Sequence, residues 1–309
     1  MVDTAPLMLL DSASLYFRAF YGVPTSVTAP DGTPVNAVRG FLDIITKLIT
    51  TYRPGSIVAC WDDAWRPRWR VELIDTYKAH RVARTLADGT DLEEVPDELT
   101  AQVPIIRTVL EVLGMPPVGA ADNEADDIIG TLAARATGPF DVVTGDRDLF
   151  QVVDDARGVR VVYTARGMSN LEVVTDSVVQ AKYGVRAAQY VDFAVLRGDP
   201  SDGLPGVAGI GEKTAANLLA VHGDLDGIRA AAREGDGMTP RVRARVDEAA
   251  AYLDAAPAVV RVADDAPVSA ASTPVTARDA GTLAAAQELS ERWGLGTAME
   301  RVLDAFANR

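Results

Sequence analysis

Short apolar runs alternate with longer helical patterns along the first half of the chain. Four of these runs predict buried strands, at residues 7–10, 57–61, 141–144 and 159–163. Between them, apolar positions recur at helical spacing over residues 41–52, 98–113 and 126–135. Strands that alternate with helices in this way favour an α/β fold with a mostly parallel central sheet.

The pattern changes in three further regions. Residues 66–84 are basic and 83–96 are polar and acidic; together they predict a long insertion with a mobile loop, of the kind that forms lids or binding loops. From about Val173 the pattern becomes helical, with turns over 198–211. A Pro/Ala/Ser-rich stretch at 266–274 is typical of a linker or surface loop, and 283–306 predicts a helix or helix pair that packs back on the body. We therefore divide the chain into an α/β unit, 1–172, with an insertion around 66–100, and a helical unit, 173–309.

Composition excludes several classes of protein. The chain has 309 residues, 48% of them hydrophobic, so it can bury a large core, and it has no apolar run long enough to span a membrane. The first twelve residues favour a strand over a signal peptide. A single cysteine, Cys60, excludes a disulfide framework, and two distant histidines, His80 and His222, argue against a His-based metal site. We expect a cytoplasmic protein.

The net charge of −14 argues against non-specific coating of nucleic acid, but the basic residues are clustered. One cluster comprises Arg66, Arg68, Arg70, Lys78, Arg81 and Arg84, and a second comprises Arg241, Arg243 and Arg245. Such clusters indicate either a docked polyanion or a solvated helix face, and the sequence leaves both interpretations open.

Acidic residues follow three of the predicted strands within a few positions. Asp11 follows the first strand, Asp62 and Asp63 follow the second, and Asp146 and Asp148 follow the third. Ligands of parallel α/β sheets bind beyond the carboxyl ends of the strands, so these side chains are expected to meet at one edge.

Two more acidic pairs extend this set. Glu124 and Asp126 stand two residues apart in the stretch ADNEADDIIG, and Asp199 and Asp202 lie in the turn GDPSDGLPG. Buried carboxylates repel one another unless cations neutralise them. An all-oxygen set favours Mg²⁺ or Mn²⁺, and pairs of such ions cleave phosphodiesters. Asp122 is interpreted as a helix N-cap, and Asp127 as either a first-turn residue or a further ligand.

The stretch GVAGIGEKTAANLL, residues 206–219, has the glycine spacing of a phosphate-binding loop, but Glu212 stands before Lys213 and Thr214. Its charge would repel nucleotide phosphates, so ATP binding is not expected. The alternatives are a glycine-rich hairpin between two helices, whose amides bind one DNA phosphate, and a plain turn between helices.

Together, these motifs resemble the bacterial 5′-nucleases, the flap endonucleases and 5′→3′ exonucleases found at the N-terminus of DNA polymerase I and as free-standing enzymes. The matching stretches, in the family's order across residues 7–220, are LLDSASLYFRAF, NAVRGF, WDDAWRPRWR…YKAHR, NEADDIIG, TGDRDLF and GDPSDGLPGVAGIGEKTAANLL. The resemblance implies a PIN-like α/β core, a helical arch insertion and an all-α helix-hairpin-helix region. No polymerase domain follows, which predicts a stand-alone nuclease.

The resemblance also implies roles for individual residues. The residues that match the family's metal-site acids are Asp11, Asp62, Glu124, Asp126, Asp146, Asp148, Asp199 and Asp202. They imply one ion near Asp11, Asp62 and Asp126, and another near Asp146, Asp148 and the Asp199/Asp202 turn. At the base of the arch, Lys78 and Arg81 match residues that approach the scissile phosphate, Tyr77 matches an aromatic that stacks on a base, and Arg70 matches an arginine ahead of them. The resemblance implies that Arg70 and Tyr77 both contact DNA.

In the hairpin region, the residues predicted to grip duplex DNA are Gly209, Gly211, Lys213 and Thr214, and the family commonly holds K⁺ there. Further candidates for metal or DNA contacts are Asp63, Asp127, Arg18, Arg241 and Arg243. The chain departs from the family's pattern in having two acids at 62 and 63, of which Asp62 is the preferred ligand, and an unusually acidic arch segment at 86–98. Gly203 stands where asparagine is common, and Asn123 where an aromatic is common.

The expected function is that of a Mg²⁺- or Mn²⁺-dependent monomer that hydrolyses DNA at 5′ flaps, nicks or 5′ ends during replication and repair. Lys78 and Arg81 would stabilise charge on the phosphoryl group. The alternatives are a catalytically silent structure-specific DNA-binding protein, a nuclease acting on RNA/DNA hybrids, and a phosphatase for a small molecule. The full set of acids argues against a pure binding protein, because such a protein gains nothing from repelling phosphate.

Overall fold

The computed structural model describes residues 6–235, 237–269 and 272–309. Its centre is a six-stranded sheet of order β7-β6-β5-β1-β2-β8, and a separate two-stranded hairpin pairs β3 with β4. The strands are β1 (Leu7–Asp11), β2 (Ser56–Cys60), β3 (Val82–Thr85), β4 (Asp91–Glu93), β5 (Phe140–Thr144), β6 (Val159–Tyr163), β7 (Glu172–Val174) and β8 (Thr273–Pro274). The four strands predicted from the sequence are β1, β2, β5 and β6; they pair in parallel, which confirms the predicted α/β fold with a mostly parallel sheet.

Fourteen α-helices are described. They are α1 (Ser12–Gly22), α2 (Asn36–Tyr52), α3 (Arg68–Leu73), α4 (Asp97–Thr100), α5 (Val103–Val112), α6 (Ala125–Arg135), α7 (Asp176–Tyr183), α8 (Tyr190–Arg197), α9 (Glu212–His222), α10 (Leu225–Glu234), α11 (Pro240–Glu248), α12 (Ala250–Val260), α13 (Ala280–Trp293) and α14 (Thr297–Ala307). Short 3₁₀ helices cover Ala79–Arg81, Asp148–Val152, Ala187–Gln189 and Pro200–Asp202. In the described part of the chain, no helix is long and apolar enough to cross a membrane.

The central strands are mostly apolar because both faces of the sheet are covered; Asp141 of β5 is a buried exception that pairs with Arg160 of β6 at 2.8 Å. Leu9 of β1 and Val58 of β2 are buried on one face, against α6 and the helices from α7 to α12. Met8 and Leu10 are buried on the other face, with α1, α2, α5 and α14. Neighbouring residues of a strand face opposite sides, so a fully covered strand needs continuous apolar residues. This arrangement leaves only the strand ends open for polar side chains.

Several elements differ from the predicted ones. The predicted helix over 98–113 is divided into α4 and α5 at Gln102, a buried residue whose side-chain oxygen accepts a hydrogen bond from Ala37 N at 2.7 Å. The predicted loop at 83–96 contains the hairpin of β3 and β4, so the insertion is α-helical only at its two ends, in α3 and α4. Val173, where the helical pattern was predicted to begin, lies in β7, and α7 starts at Asp176.

The C-terminal part of the chain returns to the α/β core. The predicted linker at 266–274 contains β8, which pairs antiparallel with β2 through Thr273 and Ile57; residues 270 and 271 of that stretch lie outside the described residues. The predicted helix or helix pair at 283–306 is a pair, α13 and α14. Val302 and Phe306 of α14 are fully buried in the same cluster as the apolar face of α2, and Arg301 binds Asp43 of α2 at 2.6 Å. The helix pair therefore packs on the core, as the sequence predicts.

Candidate active site

A cavity of about 350 Å³ opens at the carboxyl ends of β1, β2 and β5. We call it the acidic cavity. Its lining includes the carboxylates Asp11, Asp62, Glu93, Glu124, Asp126, Asp146 and Asp199 and the basic side chains Lys78, Arg81 and Arg147. Six of the eight acids predicted to bind metal therefore meet in one place, although up to 188 residues of sequence separate them (Asp11 to Asp199). The other two, Asp148 and Asp202, lie next to the cavity lining.

Asp11 ends β1 and begins α1, which fixes its position at the sheet edge. Its side chain accepts hydrogen bonds from Ser14 N at 3.1 Å and from the Thr144 hydroxyl at 2.6 Å. Burial and the neighbouring charge of Asp62 raise the pKa of Asp11 to about 7 despite these two bonds. Burial and repulsion therefore destabilise the ionised form of Asp11, and a bound cation would stabilise it.

Asp62 and Asp63 have different surroundings. Asp62 Oδ1 accepts a hydrogen bond from Ala125 N at 2.6 Å, at the first residue of α6, and its pKa is raised mainly by burial. Asp63 is exposed, lies outside the lining of the acidic cavity and has Arg107 at 3.8 Å. The structure therefore places the preferred candidate, Asp62, in the cavity, together with Asp126, whose pKa burial and the charge of Asp11 raise well above its usual value.

The turn after β5 carries the next acids. Thr144 Oγ1 accepts a hydrogen bond from Asp146 N at 2.8 Å, and Asp146 Oδ1 accepts one from Asp148 N at 2.9 Å, so the turn orients both acids. Asp148 is buried, and its Oδ1 atom has no hydrogen-bond partner within the described residues. Burial and the charge of Asp146 raise its pKa well above the usual value. A buried carboxylate oxygen without a donor is a position that a cation would satisfy.

The turn after α8 brings two further acids to the same edge. Asp199 is buried and accepts hydrogen bonds from Arg197 at 3.0 Å and from Ser201 N at 3.0 Å. Asp202 lies at 3.4 Å from Arg81 Nη2, and its carbonyl oxygen accepts a hydrogen bond from Lys78 N at 2.9 Å. This turn therefore joins the helical region to the base of the insertion.

Lys78 and Arg81 both line the acidic cavity, as predicted for residues that approach a phosphate. Lys78 Nζ donates to Glu124 Oε1 at 3.0 Å and to the Trp65 carbonyl at 3.3 Å. Although burial disfavours the positive charge of Lys78, the adjacent Glu124 carboxylate raises its pKa well above the usual value. Lys78 is therefore a fixed, protonated cation beside the acids.

The structure contradicts the DNA-contact predictions for Arg70 and Tyr77. Arg70 is 2% exposed, and its guanidinium donates to both oxygens of Asp127, at 2.7 and 2.6 Å, and to the Val259 carbonyl at 2.9 Å. Tyr77 is 3% exposed, and its hydroxyl lies 2.9 and 3.1 Å from the two oxygens of Glu124. Both side chains are structural supports beneath the cavity, inaccessible to a DNA base or phosphate.

The same network places Asp127 in the first turn of α6, one of its two predicted alternatives, and corrects the interpretation of Asp122. Asp127 is fully buried; burial alone would raise its pKa, but the hydrogen bonds from Arg70 hold the pKa below its usual range, so it is a partner of Arg70 and not a metal ligand. The N-cap of α6 is Glu124, whereas Asp122 has a φ of +57° and accepts a hydrogen bond from Arg68 N at 2.8 Å. The Glu124 side chain accepts bonds from Tyr77 and Lys78, and burial raises its pKa to about 7.

The predicted hairpin turn leads into α9. Gly209 has a φ of +80°, and Gly211 is the N-cap of this helix. Lys213, in the first turn of α9, is exposed and Thr214 is half-buried, so amide groups and a cation lie together at an accessible helix N-terminus. Gly198 and Gly206 pack against each other so closely that a Cβ on Gly206 would lie 2.5 Å from Gly198 N.

The three remaining basic candidates have different settings. Arg18 donates from Nε to Thr164 Oγ1 at 3.1 Å and lines a second cavity, which adjoins the acidic cavity at Ser14 and Gly145. Arg243 donates to the Ala232 carbonyl at 2.9 Å and so joins α11 to α10. Arg241, on α11, is exposed. Of the three, only Arg18 lies next to the acidic cavity.

Two charged residues of the acidic cavity, Arg147 and Glu93, were not among the predictions. Arg147 stands between Asp146 and Asp148, so its place in the TGDRDLF stretch could have identified it. Glu93 belongs to β4, and its position in the cavity depends on a hairpin that the sequence did not predict.

The acids are an oxygen-only donor set, which suits Mg²⁺ or Mn²⁺. Across residues 6–235, 237–269 and 272–309, no three His, Cys, Asp or Glu side chains converge tightly enough to form a ready-made ion site. The unpartnered Asp148 oxygen and the raised pKa values of Asp11 and Asp126 nevertheless fit a cavity whose carboxylates repel one another without cations.

Comparison with known proteins agrees with this site and fold. A family model described as "5'-3' exonuclease, N-terminal resolvase-like domain" matches residues 6–184, and one described as "5'-3' exonuclease, C-terminal SAM fold" matches residues 185–281. A 5′-3′ exonuclease of Streptomyces coelicolor is 60% identical, over 96% of this chain and 98% of that protein. A 5′-3′ exonuclease of Mycobacterium tuberculosis is 50% identical, over 98% of each protein.

More distant proteins share parts of the chain or its fold. DNA polymerase I of Mycobacterium bovis is 42% identical over 71% of this chain, a match that spans 23% of the polymerase. The T5 5′-exonuclease structure with bound zinc aligns with a TM-score of 0.66 at 15% identity, over 97% of this chain and 99% of that one. The bacteriophage T5 flap endonuclease in a pseudo-enzyme-product complex with DNA and metal ions aligns with a TM-score of 0.65 at 14% identity, also over 97% and 99%.

A resolvase-like α/β core with an acidic cavity at its strand ends, followed by a helical SAM-like region, defines the class of protein as a nuclease. The chain belongs to the 5′-3′ exonuclease family, as both family models and the two relatives of its own length show. The family resemblance predicted from the sequence motifs is thereby confirmed.

Proposed function

We propose that this chain is a divalent-metal-dependent 5′ nuclease that hydrolyses DNA phosphodiesters as a 5′→3′ exonuclease and as a structure-specific flap endonuclease. The observation that carries this proposal is the meeting of six predicted metal-site acids with Lys78 and Arg81 in one cavity at the sheet edge. The 5′-3′ exonucleases with which the chain shares 60% and 50% identity support the same activity.

The residues proposed to hold two or more Mg²⁺ or Mn²⁺ ions are Asp11, Asp62, Asp126, Asp146, Asp148, Asp199 and Asp202, with Glu124 at the edge of this set. When bound, such ions activate water and stabilise charge on the attacking and leaving oxygens of a phosphodiester. Glu124 is the least available of the acids, because Tyr77 and Lys78 already donate to its carboxylate. The solved T5 enzymes with metal ions support a divalent-metal requirement.

Lys78 and Arg81 are proposed to bind oxygens of the scissile phosphate and to stabilise charge on the phosphoryl group. Both are held in place before substrate arrives, Lys78 by Glu124 and Arg81 by the Ser201 carbonyl at 2.9 Å. A preorganised cation stabilises charge that develops in the transition state more effectively than a mobile one does. Tyr77 and Arg70 act indirectly in this proposal, by orienting Glu124 and Asp127 beneath the cavity.

The helical region is proposed to grip the duplex. Amide groups around Gly209 and Gly211, with Lys213 and Thr214, would bind a backbone phosphate at the N-terminus of α9, and K⁺ bound by carbonyl oxygens would support that turn. In this scheme residues 1–172 carry most of the chemistry, while 173–309 position the DNA and contribute Asp199 and Asp202 to the metal site. Substrates are 5′ flaps, nicks and 5′ ends, and RNA/DNA hybrids are a further candidate; the protein acts as a monomer.

The test uses a flap duplex labelled at the 5′ end of its single strand, incubated with purified protein in Mg²⁺, in Mn²⁺ and in EDTA. The proposal expects release of a labelled fragment as long as the flap in either metal, and intact DNA in EDTA. Release of mononucleotides alone would leave the hydrolysis in place but remove the flap-endonuclease activity. Intact DNA in every condition together with a gel shift would identify a DNA-binding protein without catalysis.

A further inference from the structure

Hydrogen bonds and an ion pair fix the β3–β4 hairpin beside the acidic cavity. Trp65 Nε1 donates to the Asp91 carbonyl at 3.0 Å, and the Arg66 guanidinium binds the Asp91 carboxylate. Directly after β4, Glu94 N donates to the carbonyl of Arg81, the residue before β3, at 2.8 Å. The hairpin is therefore fixed to the same segment that supplies Lys78 and Arg81 to the cavity.

This anchoring places a carboxylate of the hairpin in the cavity lining. Glu93 Oε1 lies 3.9 Å from Arg81 Nη1, and the side chains of Arg81 and Glu93 are 35% and 21% exposed. The opposite amino group of Arg81, Nη2, donates to the Ser201 carbonyl at 2.9 Å and lies 3.4 Å from Asp202 Oδ1. Arg81 is therefore held between two carboxylates, one from the hairpin and one from the turn after α8.

The contact between Glu93 and Arg81 matters for DNA binding because the cavity is strongly acidic. Seven carboxylates line the cavity against three basic side chains, so a DNA phosphate that enters meets an excess of negative charge. Arg81 is one of the three cations that offset this excess, and a phosphate must compete with Glu93 to bind it.

We propose that Glu93 gates the acidic cavity: its carboxylate competes with the substrate phosphate for Arg81 and so lowers the affinity of the cavity for the DNA strand. The inference rests on the proposed function, because it assumes that a DNA phosphate enters this cavity. Glu93 stands apart from the metal-site acids because it comes from the hairpin rather than from the edge of the sheet.

The chain offers a matched control in the next residue. Glu94 has the same side chain and charge, but it is exposed and lies outside the lining of the cavity. Adjacent residues of an extended segment point to opposite sides, which explains the difference. Glu93→Gln and Glu94→Gln therefore change the net charge equally but differ in the contact with Arg81.

The experiment measures steady-state cleavage of a labelled 5′-flap duplex by the wild type, Glu93→Gln and Glu94→Gln at low ionic strength. We expect Glu93→Gln to lower KM by about two- to five-fold at unchanged kcat, the upper part of the range for a partly exposed ion pair, and Glu94→Gln to stay within about 1.5-fold of the wild type. Equal effects of the two variants, or no change in Glu93→Gln, would overturn the proposal. So would a fall in kcat for Glu93→Gln, because that result would make Glu93 part of the chemistry.

Two additions make the result specific. In an Arg81→Gln background, the effect of Glu93→Gln should disappear; if it persists, Glu93 acts through another group and the proposal fails. DNA affinity measured by fluorescence anisotropy in EDTA tests the gate without turnover. If the wild type does not cleave, the proposed function fails. In that case, tighter DNA binding by Glu93→Gln than by Glu94→Gln would still support the role of Glu93 as a gate, and equal DNA binding by the two variants would reject it.

Discussion

Replacing Asp148 by asparagine tests whether a carboxylate that cleavage requires destabilises the metal-free protein. Asp148 is 9% exposed, its Oδ1 atom has no partner in the described part of the chain, and nearby carboxylates add to its repulsion. Leaving a buried polar group unsatisfied costs about 1–3 kcal/mol. Asparagine leaves a neutral polar atom at the same position, but it removes the charge that burial and the neighbouring carboxylates disfavour, so Asp148→Asn should stabilise the metal-free protein by about 1–3 kcal/mol.

This stabilisation should depend on pH in a defined direction. Burial and neighbouring charges raise the pKa of Asp148 in the folded protein, so the folded state holds a proton more tightly than the unfolded state. The wild type therefore loses stability as pH rises above the unfolded-state pKa of about 3.9, until the pH passes the folded-state pKa. The advantage of Asp148→Asn should be largest at alkaline pH and vanish near pH 4.

Thermal unfolding in EDTA, followed by circular dichroism at pH 8 and pH 5, measures the effect. An increase in Tm of roughly 2–5 °C at pH 8 corresponds to the stabilisation given above. In Mg²⁺ the same variant should lose cleavage by more than about 100-fold, since changes outside the inner coordination sphere alone cost 10–100-fold. Asp247→Asn, at an exposed position of α11, is the charge-matched control. A less stable Asp148→Asn protein in EDTA at pH 8, or near-normal turnover, would refute the reasoning.

Three further substitutions test other parts of the account. Asp62→Asn should lower cleavage by more than about 100-fold, whereas Asp63→Asn should stay within about three-fold, because only Asp62 lines the cavity; equal losses in the flap assay would contradict this assignment. Arg70→Met should lower the free energy of unfolding by about 3–5 kcal/mol, because it leaves the buried Asp127 carboxylate without its ion-pair partner. Arg68→Met, at an exposed position, should change the free energy of unfolding by less than about 0.5 kcal/mol. Urea denaturation measures both variants, and similar values would argue against the buried pair. Lys213→Ala should weaken duplex binding for all sequences and reduce the salt slope by about 1, and an unchanged slope would remove Lys213 from the DNA contact.

The strands and the acids at their ends were predictable because both depend on local sequence. A short apolar run identifies a strand covered on both faces; β1 and β2 follow this pattern, and β5 and β6 follow it except at Asp141 and Arg160, which pair with each other. The residue after such a run lies at the carboxyl edge of a parallel sheet. Asp11, Asp62 and Asp146 could therefore be placed near one another without knowledge of the strand order.

Arg70 and Tyr77 were misjudged because their partners are distant in sequence. Arg70 lies in a basic cluster, but its guanidinium binds a carboxylate 57 residues away and a carbonyl 189 residues away. The carboxylate belongs to Asp127 on α6 and the carbonyl to Val259 on α12, so the residues around Arg70 in the sequence identify neither partner. The sequence around a clustered basic residue is the same whether its side chain faces solvent or a buried acid, so the cluster alone cannot distinguish the two cases.

The hairpin and β8 escaped prediction for a related reason. The segment at 83–96 is polar and short of β-forming alternation, and its strands are held by Arg66, Trp65 and Asp91 rather than by an apolar face. β8 has only two residues and exists because Thr273 pairs with Ile57 at the edge of the sheet. Glu93 could not be assigned to the cavity without the hairpin that carries it.

The central claim is that the acidic cavity binds the divalent ions that cleavage requires. Titration of Mn²⁺ into EDTA-treated, dialysed protein, with free Mn²⁺ followed by electron paramagnetic resonance, tests it on the wild type, Asp126→Asn and Asp247→Asn. The account predicts that the wild type and Asp247→Asn bind Mn²⁺ alike and that Asp126→Asn loses at least one ion or binds it more than about ten-fold more weakly. Identical Mn²⁺ binding by all three proteins would contradict the account.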